Sequence, residues 1–323
     1  MLLRLLADGR LHSGEWLAQE LCVSRTAVRT GVQRLRAMGI DVQALPRRGY
    51  RLADPVELLD ARRIGAEVDG RRMAQIRTLE LQFEVDSTNT RLLGNAPPPL
   101  GFADVCMTEL QQAGRGRLGR RWIAPFGSGI ALSAAWTFGD RTRLPALSLA
   151  VGVSVARALE RVGAAGIRLK WPNDIWLRDL KIGGVLIELR SEAGGPAHVV
   201  IGVGINVTLS AAAHRQIEAG GLPVAAVADA CAVAPSRNLV AGAILDELLR
   251  MLDLFAREGF AAFRDAWMAL DALGGRPAEV MLADRLVTGT AKGVDPEGAL
   301  LLDTGGRLQR FVSGEASLRV TYG

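Results

Sequence analysis

Residues 111–122 of the chain read QQAGRGRLGRRW, a glycine-rich stretch that carries four arginines. Gly114, Gly116 and Gly119 match the G-x-G-x-x-G spacing of a dinucleotide-binding turn, but that turn must open directly into a helix. Here Pro125 and further glycines follow within ten residues, and an apolar run typical of a strand comes next. The sequence therefore excludes a Rossmann fold and predicts an arginine-rich loop between two strands.

Residues 114–122 of this stretch, the arginine loop, contain all four arginines, and their composition suits an anionic ligand. Glycines let backbone amides approach an anion, and guanidinium groups bind phosphate or carboxylate through two parallel hydrogen bonds. Because like charges repel and glycine is entropically costly to order, we expect the loop to be mobile when empty and ordered around its ligand. The alternative interpretation is a second patch for nucleic acid.

Residues 1–60 have the pattern of three short helices followed by a basic hairpin. Leucines recur at helical spacing near the start, and Ser13 and Ser24 are placed to cap the second and third helices. Two short β-like pieces then flank a turn that contains Arg47 and Arg48. This order of elements predicts a winged helix-turn-helix.

The charge of this segment favours DNA as its partner. Residues 21–51 contain seven arginines and one acidic residue, whereas the whole chain has a net charge of only +5. A concentrated cationic face neutralises phosphates, and the winged motif supplies a helix for the major groove. The alternative is a solvated arginine face on a protein-interaction module. The candidate DNA-contacting residues are Ser24, Arg25, Thr26, Arg29, Thr30, Arg47 and Arg48.

The rest of the chain predicts an α+β protein with two further domains. Strand-like runs in the middle of the chain cover residues 79–85, 103–109, 130–136, 167–171, 185–190 and 198–207. Helical patterns cover 144–162, 239–255 and 260–270, so we expect a mixed sheet with helices on one face. Short β runs separated by Gly, Asp and Pro turns then predict a small carboxy-terminal β-barrel. The predicted domains are residues 1–60, 66–270 and 272–323.

Composition excludes several classes of protein. The three histidines lie far apart, which argues against a Ser–His–Asp hydrolase or a histidine-rich metal site. The three cysteines are scattered without a CxxC motif, as is typical of a reducing compartment. The apolar start is interrupted by Arg4 and is too short for a signal peptide, and no apolar run is long enough to span a bilayer. We therefore expect a cytoplasmic protein that does not enter a membrane.

Other stretches combine polar side chains with glycines in the way a ligand site requires, namely DSTN (86–89), KWPND (170–174), KIGGVLIE (181–188) and GVGIN (202–206). The chain has only three lysines against 36 arginines, and Lys170 and Lys181 lie eleven residues apart. A lysine ammonium is a compact charge that suits a position between a carboxylate and a phosphate. Asn173 and Asp174 offer hard oxygens that could orient a hydrated Mg²⁺. The alternatives are a surface lysine and, for Ser87 or Asn89, a simple helix cap.

Together these stretches resemble the biotin–protein ligases and, with the amino-terminal segment, their bifunctional bacterial form, which is both biotin ligase and biotin-operon repressor. The resemblance covers essentially the whole chain: a winged helix, a central mixed-sheet ligase domain and a small carboxy-terminal SH3-like barrel. It implies that biotin and ATP, with Mg²⁺, give biotinyl-5′-adenylate, which a lysine of the biotin carboxyl carrier protein of acetyl-CoA carboxylase then attacks. It also implies operator DNA as a partner and a homodimer when the adenylate is bound.

The resemblance further implies a role for individual residues. Those implied for biotin are Ser87, Thr88, Asn89, Gln111, Arg115, Gly116, Arg117, Lys181, Gly184 and Gly204. Those implied for ATP or the adenylate are Arg117, Arg120, Trp122, Lys170, Asn173 and Asn206. Among them Lys181, Arg115 and Arg117 are the implied catalytic residues, with Lys181 bridging the carboxyl group and the phosphate, and Asp174 is the candidate Mg²⁺ ligand. Leu118 departs from the pattern, since some relatives carry another arginine there, which leaves this loop one cation fewer.

Two other functions remain open at this point. One is a transcription factor whose ligase-like domain only senses biotin, and the other is a lipoate or octanoyl transferase of related fold. Retention of Lys181, Arg115 and Asn173 argues against the first, and the DSTN motif and the arginine loop argue against the second.

Overall fold

A computed structural model describes residues 1–139, 144, 146–191, 195–219, 223–282, 286–312 and 317–320. The first group of elements is a small α/β unit with three helices and a hairpin, namely α1 (Leu2–Leu6), α2 (Gly14–Glu20), α3 (Arg25–Ala37), β1 (Val42–Leu45) and β2 (Gly49–Leu52). The hydroxyl of Ser13 accepts the Trp16 amide at 3.0 Å and that of Ser24 accepts the Ala27 amide at 3.1 Å, so both predicted caps form. The predicted winged helix-turn-helix is confirmed.

The second group builds the central domain around a seven-stranded sheet. Its strands are β3 (Ile76–Val85), β4 (Ala103–Gln111), β5 (Gly129–Phe138), β6 (Ile167–Lys170), β7 (Asp174–Leu177), β8 (Leu180–Ser191) and β9 (Ala197–Asn206). Its helices are α4 (Ala61–Ala66), α5 (Gly70–Met73), α6 (Thr88–Leu93), α7 (Leu147–Arg161), α8 (Ala211–Glu218), α9 (Arg237–Glu258) and α10 (Ala261–Leu270). The strand order is β3-β4-β5-β9-β8-β7-β6, with β3 and β4 parallel and the other neighbours antiparallel, so the predicted mixed sheet is confirmed.

Both faces of this sheet are covered, which differs from the prediction of helices on one face. Alternate residues of β4 separate the two sides: Val105 and Met107 enter the large core shared with α7 and α9, whereas Cys106 packs with Leu92 of α6. The large core provides most of the apolar burial, at roughly 1.5–3 kcal/mol for each fully buried leucine or similar side chain. The short helix α6 on the opposite face leaves room beside it for a cavity.

Strand β7 and helix α8 of the central domain are absent from the sequence prediction. Strand β7 joins β8 through a two-residue turn in which Arg178 and Asp179 have φ of 49° and 64°. Such a turn needs positive φ at both central residues and is normally recognised by Gly or Asn, which this pair lacks. Helix α8 was also missed, although Ser210 caps it by accepting the Ala213 amide at 3.2 Å.

The third group is a small antiparallel sheet of five strands, β10 (Pro277–Met281), β11 (Leu286–Val294), β12 (Leu300–Asp303), β13 (Leu308–Phe311) and β14 (Ser317–Val320). Their order is β13-β12-β11-β10-β14. An all-β carboxy-terminal unit is thus confirmed, while its closure into an SH3-like barrel and the three domain boundaries stay predictions. Among the described helices of the whole chain, none has the length and apolar character needed to cross a bilayer.

A buried polar cluster joins the first group to the second. The carboxylate of Glu57 accepts hydrogen bonds from Ser236 Oγ at 2.7 Å, the Arg237 amide at 2.6 Å and Asn238 Nδ2 at 3.0 Å. Burial alone would raise the pKa of Glu57, but these hydrogen bonds outweigh it and hold the pKa below its usual value. The buried guanidinium of Arg237 donates to the carbonyls of Glu57 and Gly129 at 2.6 and 2.8 Å, so the connecting segment is attached directly to β5.

Candidate active site

A cavity of about 190 Å³ lies on the α6 face of the sheet. Its lining brings the arginine loop together with the DSTN, KWPND, KIGGVLIE and GVGIN stretches. Every residue that the sequence assigns to biotin, adenylate or Mg²⁺ lines it: Ser87, Thr88, Asn89, Gln111, Arg115, Gly116, Arg117, Arg120, Trp122, Lys170, Asn173, Asp174, Lys181, Gly184, Gly204 and Asn206. Segments up to 119 residues apart in the chain therefore form one site. Their individual roles in binding stay predictions.

One end of the cavity is a buried, neutral hydrogen-bonding surface at the start of α6. The side-chain oxygen of Gln111 accepts the Thr88 amide at 2.9 Å, and Ser133 Oγ lies 2.6 Å from Thr88 Oγ1 and also donates to Asn89 Oδ1. Ser87 occupies the N-cap position, but its hydroxyl makes no capping bond, so the simple capping alternative is wrong for this side chain. This end presents a hydroxyl and amide groups suited to a polar, uncharged ring system.

The orientation of the Asn89 amide follows from its neighbours. Its Nδ2 donates to the Leu186 carbonyl at 3.3 Å and to Glu188 Oε2 at 2.8 Å, and both of these groups can only accept. Both amide hydrogens are thus used within the protein, and Oδ1 retains one free lone pair. A Cβ at Gly202 would overlap this amide, so glycine is required beneath it.

The arginine loop closes the cavity as a compact hairpin. The Gly116 amide donates to the Arg120 carbonyl at 2.7 Å, and the Trp122 amide donates to the Gly114 carbonyl at 2.9 Å. Leu118 forms the tip with φ of 55°, and its side chain is exposed. The predicted mobility of the empty loop stays a prediction.

The guanidinium groups of this loop are directed toward the cavity. Arg115 Nη2 donates to Glu188 Oε2 at 2.8 Å, and Arg117 Nη1 donates to Asn173 Oδ1 at 3.5 Å. Burial lowers the pKa of Arg117, whereas the nearby carboxylate of Asp174 raises it. An arginine retains its charge at neutral pH despite such a shift, so the loop supplies fixed cations to an anionic ligand.

The side chains of Lys181 on β8 and Asp174 on β7 meet diagonally, since Lys181 pairs in register with Trp176 and Asp174 with Gly184. Lys181 Nζ is 2.5 Å from Asp174 Oδ1 and 6.0 Å from the centre of the Trp122 ring. The structure thus gives Asp174 a different partner from the predicted Mg²⁺, and the described residues contain no cluster of three His, Cys, Asp or Glu side chains that could hold a metal. These residues do not fit a metal site built by the protein, because a cation beside Asp174 would be repelled by the ammonium group.

Trp122 forms the wall opposite the lysine. A Cβ at Gly204 would lie 2.6 Å from the Trp122 ring, so the absence of a side chain at Gly204 lets the indole pack flat on β9. Nearby, Asn206 Nδ2 donates to the Ala225 carbonyl at 3.2 Å. The indole nitrogen of Trp122 is buried and donates to no other group in the described part of the chain. An unpaired buried donor of this kind is costly unless a ligand accepts from it.

The sequence analysis missed several residues at the site. The backbone or side chains of Leu186, Ile217 and Val224 line the cavity, while Ser133 and Glu188 bond to residues that line it. Glu188 and Leu186 could have been found, since alternate residues of a strand share a face with Gly184. Ser133 could have been found as well, because it is a polar residue within the apolar run of β5. Nothing in the sequence points to Ile217 and Val224 as site residues, because they belong to no predicted strand or motif.

The candidate DNA-contacting residues lie on two exposed parts of the winged helix-turn-helix. All seven are exposed, five at the beginning of α3 or its cap and two in the turn between β1 and β2. Within the described residues, Arg25, Arg29, Arg47 and Arg48 form no ion pair with a carboxylate. Two arginines on α3 and two in the turn between β1 and β2 thus carry positive charge that no carboxylate of the described residues neutralises. This is the charge that a nucleic-acid interface requires.

Comparison with known proteins agrees with this architecture. The Biotin/lipoate A/B protein ligase family matches residues 83–206, an HTH domain matches 1–51, and the Biotin protein ligase C terminal domain matches 274–319. The chain is 38% identical to the Bifunctional ligase/repressor BirA of Salmonella typhimurium, over 98% of this chain and 96% of that protein, and equally to that of Escherichia coli.

A solved structure extends the likeness to three dimensions. The biotin protein ligase from Aquifex aeolicus, in complex with biotin and ATP, matches with a TM-score of 0.64 and 28% identity, over 76% of this chain and 100% of that one. That match and the full-length relatives lead to one conclusion: the chain belongs to the biotin protein ligases, as a member of their bifunctional ligase/repressor group.

Proposed function

We propose that this protein joins biotin to ATP to form biotinyl-5′-adenylate, transfers the biotinyl group to a carrier protein, and represses transcription in response to biotin. The observation that carries the proposal is the division of one cavity into a neutral end, around Thr88 and Asn89, and a cationic end, around Arg117 and Lys181. A ligand with a polar uncharged ring at one end and a carboxylate at the other matches that division.

In the first step, a carboxylate oxygen of biotin attacks the α-phosphorus of ATP, and the bond to pyrophosphate breaks. Two anions must approach each other, so the guanidinium groups of Arg115 and Arg117 and the ammonium of Lys181 lower the electrostatic cost. Lys181 exchanges its contact with Asp174 for contacts with the carboxylate and phosphate oxygens. The arginine loop, lying over the product, excludes water that would hydrolyse the mixed anhydride.

In the second step, the neutral amine of an acceptor lysine attacks the biotinyl carbonyl carbon, AMP leaves with the bonding electron pair, and the amine nitrogen gives up a proton to solvent as the amide forms. The proposed acceptor is the biotin carboxyl carrier protein of acetyl-CoA carboxylase, in line with a relative from Paracoccus denitrificans named Biotin--[acetyl-CoA-carboxylase] ligase, 32% identical over 67% of this chain. Mg²⁺ enters the proposal as the metal carried by the ATP phosphates, which are the ligands it prefers.

The regulatory half of the proposal rests on the exposed arginines of α3 and of the hairpin turn. Ordering of the arginine loop around the adenylate would favour a homodimer, and two copies of α3 would then contact two operator half-sites. Coupling of this kind makes DNA affinity depend on biotin supply. A shift assay with DNA from upstream of the host's biotin-synthesis genes, with and without biotin and ATP, tests it, and an affinity that ignores both ligands would contradict it.

One experiment tests the enzymatic half directly. The full chain is incubated with ATP, biotin and an apo carrier domain, and the mass of the carrier and the pyrophosphate released are measured. We expect the carrier to gain one biotinyl group and lipoate to give no product. A chain that binds biotin without releasing pyrophosphate would instead be a sensor, and a carrier labelled by lipoate would indicate the transferase.

A further inference from the structure

Glu188 stands at the end of the KIGGVLIE stretch and has no role in the proposed reaction. It lies on β8 two residues beyond Leu186 and four beyond Gly184, and both of these line the cavity. Because alternate residues of a strand share a face, the Glu188 side chain also projects from the cavity side of the sheet. Its side chain is 23% exposed, so it lies at the edge of the cavity rather than in open solvent.

One oxygen of this carboxylate holds two groups from different parts of the chain. Glu188 Oε2 accepts from Asn89 Nδ2 at 2.8 Å and from Arg115 Nη2 at 2.8 Å. Asn89 is buried at the neutral end of the cavity, whereas Arg115 begins the arginine loop that covers it. A continuous set of hydrogen bonds therefore runs from Ser133 through Asn89 and Glu188 to Arg115.

Each of these hydrogen bonds constrains the site in a definite way. A carboxylate only accepts, so Glu188 requires that Asn89 turn its amide nitrogen outward and leave Oδ1 to accept from a ligand N–H. The bond to Arg115 is charge-assisted and therefore stronger than a neutral one. Loss of the carboxylate would release the base of the loop and leave Asn89 Nδ2 with only the 3.3 Å bond to the Leu186 carbonyl.

We infer that Glu188 is a positioning residue that fastens the arginine loop to the neutral end of the cavity, so that binding of the ligand ring and closure of the loop favour each other. The inference rests on the proposed function and adds to it a residue that acts through Arg115 and Asn89. It differs from an ordinary surface ion pair, which contributes little, because the same oxygen also bonds a buried amide.

The test uses the full chain with Glu188→Ala, Glu188→Gln and a matched control, Glu80→Ala. Glu80 pairs with Arg91 at 3.0 Å, as Glu188 does with Arg115, but neither of its hydrogen-bond partners, Arg91 and Gln82, lines the cavity. Biotin affinity is measured by calorimetry without ATP, and the dissociation rate of the adenylate is measured after loading each variant with synthetic biotinyl-5′-adenylate. We expect Glu188→Ala to weaken biotin binding and speed adenylate dissociation about tenfold, the loss of one charge-assisted hydrogen bond. Glu188→Gln should give an intermediate effect, and Glu80→Ala none.

A second comparison separates positioning from general stability. In an Arg115→Ala background, Glu188→Ala should change adenylate dissociation by less than about threefold, because its partner is already gone. Fully additive effects of the two substitutions, or a Glu188→Ala variant within about twofold of the parent, would overturn the inference. Should Glu188→Ala fail to fold, the Gln variant and its thermal unfolding curve decide in its place, and unchanged dissociation there would also overturn it. Absence of pyrophosphate release by the parent chain would instead refute the proposed function, since biotin affinity is measured independently of turnover.

Discussion

The ammonium of Lys181 lies 2.5 Å from a carboxylate oxygen of Asp174. This lysine, which lines the cavity, is therefore already paired with a carboxylate on the neighbouring strand. An incoming carboxylate or phosphate must compete with Asp174 for the ammonium. The site therefore binds anions with a charge that is held in position beforehand and costs little to reorient. Removal of the lysine would also leave Asp174 as an unpaired negative charge that repels both substrates.

We expect Lys181→Ala to reduce biotin-dependent pyrophosphate release by at least about a hundredfold, the usual loss for one transition-state donor in a water-excluded site. Lys292→Ala is the matched control, because Lys292 is exposed on β11. Pyrophosphate release and thermal unfolding are measured on both variants. The fold should persist in each, and near-normal turnover by the Lys181 variant would refute its role.

Arg29→Ala should weaken operator binding and leave ligation unchanged. Arg29 is exposed on α3, and removal of one phosphate contact lowers affinity for all DNA sequences and reduces the salt slope by about one. Arg307→Ala removes the same charge from an exposed turn of the carboxy-terminal sheet and serves as control. Gel-shift titrations at several salt concentrations provide the measurement, and equal affinity of the two variants would count against α3 as the DNA-contacting helix.

Gly204→Ala tests the packing of Trp122. The new methyl group would lie 2.6 Å from the indole, so the ring must move off β9 and the cavity must change shape. We expect adenylate affinity to fall at least about tenfold, while Gly70→Ala, at a site with open space for a Cβ, should have no effect. Quenching of tryptophan fluorescence by the ligand reports both changes, and unaltered affinity in the Gly204 variant would show that the indole position is unimportant.

The cysteines should differ sharply in reactivity. Burial raises the pKa of Cys106 to about 11, with a further contribution from the negative charge of Glu80, so only about one thiol in a thousand ionises at pH 8. The sign of the shift means that Cys106 stays neutral and unreactive, whereas Cys22 is exposed on the surface of the winged helix-turn-helix. Iodoacetamide at pH 8 followed by peptide mass spectrometry should label Cys22 well before Cys106, and denaturant should abolish the difference. Equal rates in the folded protein would contradict the burial of Cys106.

Local signals account for the success of the prediction in the winged helix-turn-helix. Ser13 and Ser24 cap the helices that they were expected to cap, because an N-cap depends on residues within one turn. Strands β4, β5 and β9 were also found, since they are apolar runs buried on both faces over most of their length. Strand β7 was missed because tertiary packing, rather than glycine or asparagine, stabilises the positive φ of Arg178 and Asp179.

The candidate site was predicted less completely than the fold. The motifs around Asn89, Arg115 and Lys181 carry unusual residues and were found from the sequence. Asp174 was expected to face a metal, but its pairing with Lys181 depends on the register of β7 against β8, which no local pattern specifies. The alternation of β8 could have placed Glu188 on the cavity side, but not its pairing with Asn89 and Arg115, which lie 99 and 73 residues away in the chain.

The buried cluster around Arg237 has a mechanical consequence for regulation. Its guanidinium bonds the carbonyl of Gly129, and Gly129 pairs with Asn206 across β5 and β9 at the edge of the cavity. The same guanidinium bonds the carbonyl of Glu57, where the chain leaves the winged helix. The segment that leaves the winged helix-turn-helix is thus fixed to β5 by one buried side chain, so we expect the angle between that domain and the cavity to change little when the ligand binds.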